Sequence, residues 1–243
     1  IEEAGGRILL STRVTEVART RGGIEVVCGP DRHQVSLLVV CGGLESDRLG
    51  RLAGGSTAPR IVPFRGEYMS VTSEKQDYVR GMVYPVPDPR YPFLGVHFTR
   101  RVDGGLDVGP NAFLALSRSS YGRMSVAGRD VASILGWPGF WRFAGRHWRT
   151  GASELRGVLS KRAYMRTAQR YVPDIGTADV QRSALGLRAQ AVERDGSLVD
   201  DFVIQQADGV TSVRNAPSPA ATSSLAIAEY VVDRVEPARR SSR

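Results

Sequence analysis

In this 243-residue sequence, two side chains combine reactive chemistry with a local pattern that would hold them in place. His97 follows Leu94, Gly95 and Val96 and precedes Phe98, in a strand-like alternation that sets it apart from its apolar neighbours. A neutral imidazole near pH 7 can take the proton of an alcohol while hydride leaves the same carbon. Arg188 sits in Leu185-Gly186-Leu187-Arg188-Ala189-Gln190, behind a glycine inside a strand pattern. A guanidinium there could clamp a carboxylate through two parallel hydrogen bonds. A structural histidine and an ordinary surface arginine would leave the same pattern, so both alternatives stay open. His33 and His147 have less context and receive no role.

Two backbone features could receive an anion or a nucleotide. The run Val35-Ser36-Leu37-Leu38-Val39-Val40-Cys41 ends in Gly42-Gly43. Glycines at the carboxyl end of a buried strand let a ligand approach the backbone, as nucleotides do in open α/β sheets. Near the other end, Val210–Asn215 leads through Ala216-Pro217-Ser218-Pro219-Ala220 to Ala221-Thr222-Ser223-Ser224 and the apolar run Leu225–Val235. This reads as strand, tight loop and helix, with Thr222 or Ser223 as N-cap. Free amides and the positive dipole end would favour negative charge there, although an ordinary capped helix has the same sequence.

The elements that must position these groups follow from periodicity and turn signals. Short β-rich runs at Ile8–Leu10, Val14–Val17, Ile24–Val27 and Val35–Val40 predict a β-meander, the last run being a strand buried on both faces as in a parallel sheet. Glu45–Ala53 reads as helix. Alternating residues with prolines at the run ends, from Arg65 to Phe98, predict an antiparallel sheet. Asp130 and Ile134, then Leu155, Val158, Leu159 and Ala163, recur at three- and four-residue spacing, predicting a helical insertion over 117–172 closed by Pro173. Asp179–Gln190 and Phe202–Gln206 return to strand character around the turn Asp195-Gly196. The expected class is α+β, with parts 1–60, 61–190 and 191–243 and a disordered tail from Arg239.

Composition narrows the function classes. Hydrophobic residues make up 42%, enough for a buried core. The net charge of +8 comes almost wholly from arginine, with Lys75 and Lys161 the lysines, and is concentrated over 142–170. That distribution reads as a solvated helical face rather than a nucleic-acid footprint. Trp137, Phe140, Trp141 and Trp148 beside those arginines would also suit peripheral contact with a membrane surface, which keeps open the alternative of a non-catalytic module that binds anionic surfaces through 142–170. Cys28 and Cys41 have neither CxxC spacing nor clustered histidines, which predicts no metal site and a reducing, cytoplasmic setting. No run approaches the ~20 apolar residues of a membrane span. The opening Ile1-Glu2-Glu3-Ala4-Gly5-Gly6 resembles no signal peptide, and without an initiator Met it reads as an internal position of a longer chain.

Several longer stretches carry a resemblance. Tyr84-Pro85-Val86-Pro87-Asp88-Pro89, Phe93-Leu94-Gly95-Val96-His97-Phe98-Thr99, Val108-Gly109-Pro110-Asn111-Ala112, Leu187-Arg188-Ala189-Gln190-Ala191, Leu198-Val199-Asp200-Asp201-Phe202 and Asn215-Ala216-Pro217-Ser218-Pro219-Ala220-Ala221-Thr222-Ser223 occur in order. Together they resemble the L-2-hydroxyglutarate dehydrogenase/oxidase family of the flavin-dependent D-amino-acid oxidase superfamily. The resemblance implies non-covalent FAD, oxidation of L-2-hydroxyglutarate to 2-oxoglutarate, and electrons passed to a quinone, a respiratory carrier or oxygen. An amino-acid or glycerol-3-phosphate oxidoreductase is the neighbouring alternative. By the same resemblance, residues 1–60 and 191–243 belong to an FAD-binding domain of α/β type, and 61–190 to the substrate domain. Val14 would meet the adenine, Gly42 and Gly43 the dinucleotide, and Ala221, Thr222, Ser223 and Ser224 the flavin's pyrimidine. Arg188 would hold a carboxylate, His97 would act as base or bind the hydroxyl, and Tyr84 and Asn111 would line the pocket. The superfamily's Gly-x-Gly-x-x-Gly turn occurs nowhere in the sequence, so the chain is expected to be a C-terminal portion, possessing late elements of the flavin domain.

Overall fold

A computed structural model describes residues 1–86, 95–122 and 125–240. In chain order its elements are β1 (Glu16–Thr20), β2 (Gly23–Cys28), β3 (Asp31–Val35), β4 (Leu38–Val40), α1 (Ser46–Leu52), β5 (Arg60–Val71), β6 (Met82–Val83), β7 (His97–Arg100) and β8 (Leu106–Leu114). They continue as α2 (Gly128–Leu135), α3 (Pro138–Leu159), α4 (Lys161–Ala168), β9 (Val180–Val192), β10 (Val203–Ala207), β11 (Val210–Asn215) and α5 (Ser224–Arg240). The chain divides into two compact units. One comprises Ile1–Pro59 with Val199–Arg243, the other Arg60–Leu198.

In the first unit, β1, β2 and β3 form an antiparallel meander, and β10, β11 and β4 form a second small sheet. β11 runs parallel to β4, with Val210 beside Leu38 and Ser212 beside Val40. Parallel neighbours need a long crossover, which here is the entire second unit in sequence. Ile24, Val26, Cys28, Val40, Ala53 and Val210 share one apolar cluster. The expected continuous strand Val35–Val40 is instead two strands, broken after Val35 where the chain leaves the meander and enters the parallel pair. Val39 is 44% exposed, so β4 is not buried on both faces: among the described residues it ends its sheet. Ile8–Leu10 forms no strand and is exposed.

The second unit is built on a five-stranded antiparallel sheet in the order β6-β7-β8-β5-β9. Directly opposed residues of an antiparallel pair share a face, so register assigns the faces. On one face Met69, Val71, Phe98, Leu106, Val108 and Val180 pack beneath Tyr164, Met165 and Ala168 of α4 and Ile175. Side chains of this kind each contribute about 1.5–3 kcal/mol on burial, which pins α4 to the sheet. On the other face Val62, Phe64 and Val192 pack against Phe143 of α3, the Phe64 and Phe143 rings meeting edge-on at 6.0 Å. Trp137 adds a hydrogen bond from its indole N–H to the Val192 carbonyl, 3.1 Å.

The helical insertion is built of three helices and its first begins at Gly128, later than the expected 117. α3 is interrupted by the non-helical backbone of His147. Trp137, expected on the surface, is 2% exposed. The guanidinium groups of Arg60 and Arg194 lie over its ring, at 4.7 and 5.1 Å from the centroid, and its burial makes it a core residue rather than a surface anchor.

Candidate functional site

Two of the candidate substrate residues, His97 and Arg188, share one face of the second unit's sheet. Tyr68 on β5 stands opposite two residues of β8, because Glu67 pairs with Asn111 and Met69 with Val108. This bulge at Gly109-Pro110 lets β8 keep Asn111 and Val108 on one face and leave the opposite face to Gly66, Tyr68 and Ser70. His97 neighbours Phe98, whose partner Val108 is in the helix-covered core, so His97 points to the Tyr68 face. Arg188 pairs with Phe64 and Gly186 with Gly66, which puts Arg188 on that same face.

His97 is 9% exposed and stacks on Tyr84, ring centroids 4.6 Å apart and planes inclined by 28°. Its Nδ1 lies 3.1 Å from the Gly95 carbonyl oxygen. A carbonyl only accepts, so Nδ1 carries the proton and Nε2 presents a lone pair. Burial pushes the imidazole below its ordinary value of 6.5, and the Gly95 contact opposes this more weakly. The ring is thus held neutral, with its basic nitrogen directed away from the anchoring carbonyl.

The other sequence candidates separate. Arg188 is exposed. Tyr84 is 46% exposed and covers His97, while its hydroxyl donates to the Met82 sulfur at 3.2 Å. The remainder of its motif, Pro87–Leu94, lies outside the described residues. Asn111 is 4% exposed, sits on the opposite face, and its Oδ1 accepts the Glu67 amide N–H at 3.0 Å. There it closes the backbone beside the bulge and is not brought together with His97 and Arg188.

Tyr68 was not singled out by sequence reasoning. Its ring rests on Gly109, where an added Cβ would come within 2.8 Å of Tyr68 Cδ1. Burial, then the neighbouring Asp107 and Tyr84, push its phenol above the ordinary value of 10.0. Asp107 accepts from the Ser70 hydroxyl at 2.7 Å and pairs with Arg101 at 3.4 Å. The available signal was the period-2 pattern of Gly66, Tyr68 and Ser70, but using it required the register.

In the first unit, Val14 is half-buried against the meander core. Gly42 follows β4, and a Cβ there would lie 2.8 Å from Leu49 Cδ1 and 3.1 Å from the Ser46 nitrogen. Gly43 has φ +51, with open space where a side chain would begin. Gly42 is bare because the start of α1 packs against it, whereas Gly43 leaves open backbone that a flat or anionic group could approach. α5 starts at Ser224, and Ser223 holds the N-cap position because its carbonyl accepts the Ile227 amide at 2.9 Å. Ala221, Thr222, Ser223 and Ser224 are all exposed, so this positive helix end is open to a ligand. Arg214, which sequence reasoning also passed over, braces the segment leading there. It is 1% exposed and donates to the Ser56 and Pro59 carbonyls at 2.8 and 2.9 Å and to Gln205 Oε1 at 2.9 Å.

A family model described as FAD dependent oxidoreductase matches residues 1–234. The chain belongs to this family. Among FAD-dependent oxidoreductases of known fold, it superposes on the FAD-bound L-α-glycerophosphate oxidase of Mycoplasma pneumoniae with a TM-score of 0.62 at 20% identity, covering 93% of this chain and 50% of that one. The glycerol-3-phosphate dehydrogenase of Bacillus halodurans gives 0.54 at 15% identity, covering 94% and 39%. The α+β architecture is therefore the fold of this family.

By sequence, the chain is 40% identical over 230 residues to the L-2-hydroxyglutarate dehydrogenase of Indibacter alkaliphilus, covering 94% of this chain and 58% of that protein. The mitochondrial L-2-hydroxyglutarate dehydrogenase of Caenorhabditis elegans is 44% identical over 241 residues, with 95% and 55% covered. The Escherichia coli enzyme of that name is 39% identical, with 96% and 55% covered. The chain thus spans little more than half the length of these curated relatives. Among the described residues no helix is long and apolar enough to cross a membrane.

Proposed function

We propose that this chain serves an FAD-dependent dehydrogenase that oxidises the 2-hydroxyl of L-2-hydroxyglutarate to the ketone of 2-oxoglutarate. The observation that carries the reading is His97, neutral and tethered at Nδ1, on the same sheet face as Arg188. The names of relatives at 39–44% identity support the substrate. Arg188 grips a substrate carboxylate, a pairing that its planar fork favours over a point charge. His97 Nε2 takes the hydroxyl proton, while Tyr84 shields the imidazole from water and keeps it neutral.

FAD, when bound, would supply the hydride acceptor for C2. The residues that would hold it are Val14 near the adenine, Gly42 and Gly43 at the dinucleotide, and Ala221–Ser224 at the pyrimidine. The bare backbone at Gly43 and the open amide end of α5 fit such a group. A quinone, a respiratory carrier or oxygen would serve as the final electron acceptor. The test is anaerobic exposure of the flavin-loaded protein to L-2-hydroxyglutarate, amino acids and glycerol 3-phosphate in turn. Bleaching by L-2-hydroxyglutarate supports the reading, whereas bleaching only by one of the others redirects it to the neighbouring oxidoreductase class.

A second proposal concerns location: a cytoplasmic protein that touches the inner face of the cell membrane. Trp141 and Trp148, 57% and 63% exposed, support it, with Arg142, Arg146 and Arg149 on the same helix. Sedimentation with anionic vesicles at low ionic strength, lost on Trp148→Ala, is the expected result. Absence of binding at low salt would reduce this helix to a solvated face.

A further inference from the structure

Resting on that reading of the site, we propose that Tyr68 is the specificity-determining residue for a dicarboxylate, donating its phenolic hydrogen bond to the substrate carboxylate that Arg188 does not hold. Position is the first argument. Rises of ~3.3 Å per residue and strand spacings of ~4.8 Å place the His97 and Arg188 backbones roughly 19 Å apart on a diagonal across the sheet. By the same spacings Gly66 lies beneath that diagonal and Tyr68 beside it, roughly 10 Å from His97. Gly66 and Gly186 are paired on this face and carry no side chains, while the Pro110 ring lies against Gly66, its Cβ 2.9 Å from where a Gly66 Cβ would stand. A molecule that reaches from Arg188 to His97 passes over this low ground, with Tyr68 beside it.

The chemistry of the hydroxyl is the second argument. Among the described residues it has no hydrogen-bond partner, although its ring is fixed against Gly109. Burial, Asp107 and Tyr84 hold the phenol in its neutral form, so it remains a donor at every physiological pH. A carboxylate can only accept, and a neutral donor meets it without importing a charge into a half-buried place. Asp107 is near enough to raise the phenol and would repel a second anion, a repulsion that the Ser70 hydroxyl and Arg101 offset in part. His97 and Arg188 are engaged with the 2-hydroxyl and the first carboxylate, which leaves Tyr68 for the far end of a five-carbon diacid. A 2-hydroxy acid of equal length ending in a methyl group gains nothing from it.

The experiment compares flavin-loaded wild-type protein with Tyr68→Phe on L-2-hydroxyglutarate and on L-2-hydroxypentanoate, alongside calorimetric binding of the two corresponding 2-oxo acids. The expected result is a loss of roughly tenfold in kcat/KM and in affinity for the diacid pair, with the monoacid pair changed by less than about twofold. A loss shared equally by diacid and monoacid marks a structural residue and overturns the inference. So does no loss at all. If the wild type fails to oxidise L-2-hydroxyglutarate, the proposed activity falls, and the binding comparison still decides for or against Tyr68. A wild type that binds neither 2-oxo acid overturns both.

Discussion

The His97 imidazole stacks on the Tyr84 ring at 4.6 Å while its Nδ1 is tied to the Gly95 carbonyl at 3.1 Å. The stack buries the imidazole and the tether chooses its tautomer, so together they make Nε2 a base with a fixed direction.

Replacing that base should separate chemistry from cofactor binding. His97→Gln is expected to slow flavin reduction by about 10²–10⁴-fold, with flavin content unchanged. Wild-type kcat/KM should rise with pH as the imidazole deprotonates, with its inflection below 6.5 because burial depresses the group. The variant should lack that acid limb. Stopped-flow reduction across pH measures both effects.

Arg188→Lys tests geometry rather than charge. Losing the two-pronged contact should cost about 1.5–3 kcal/mol, raising KM for L-2-hydroxyglutarate roughly 10–100-fold. An unchanged KM would return Arg188 to the solvated surface.

At the start of α5, Ser224→Asp should act in opposite directions on fold and cofactor. A carboxylate in the first turn stabilises the helix by about 0.3–1 kcal/mol. The same charge beside the proposed pyrimidine position should weaken FAD binding and make the flavin harder to reduce. Thermal denaturation without flavin, paired with FAD titration, reads the two signs separately.

Arg214 tests the scaffold of the first unit. Arg214→Met would strip donors from Ser56, Pro59 and Gln205, of which the Pro59 bond is buried and the other two are part-buried. At about 1–3 kcal/mol for the deserted buried acceptor, Tm should fall by roughly 2–12 °C. Calorimetry of the variant checks it.

Much of the sheet was legible because strand alternation is a local signal. The residues around Tyr68, Leu187 and Val213 carry it, and the structure makes strands of them. What local pattern could not supply was pairing. The bulge opposite Tyr68 decides which face that residue shares, and it arises from Gly109-Pro110, some forty residues later in the chain. The same long-range fact moved Asn111 away from His97. Ile8–Leu10 misled in the other direction: three apolar residues satisfy β propensity, but without a partner strand they form no strand and stay exposed. Trp137 looked like a surface anchor beside its arginines, yet two of the chain's other arginines, Arg60 and Arg194, lie over its ring. Arg214 left no trace because its partners are mostly backbone carbonyls, which every sequence contains.

The most direct test of the central claim is an anaerobic titration of the flavin-loaded protein with each enantiomer of 2-hydroxyglutarate, monitoring flavin absorbance and 2-oxoglutarate together. The expected result is stoichiometric reduction by the L form, one 2-oxoglutarate released per flavin bleached, and no reduction by the D form. A flavin that stays oxidised with L-2-hydroxyglutarate, or that bleaches without releasing 2-oxoglutarate, would contradict it.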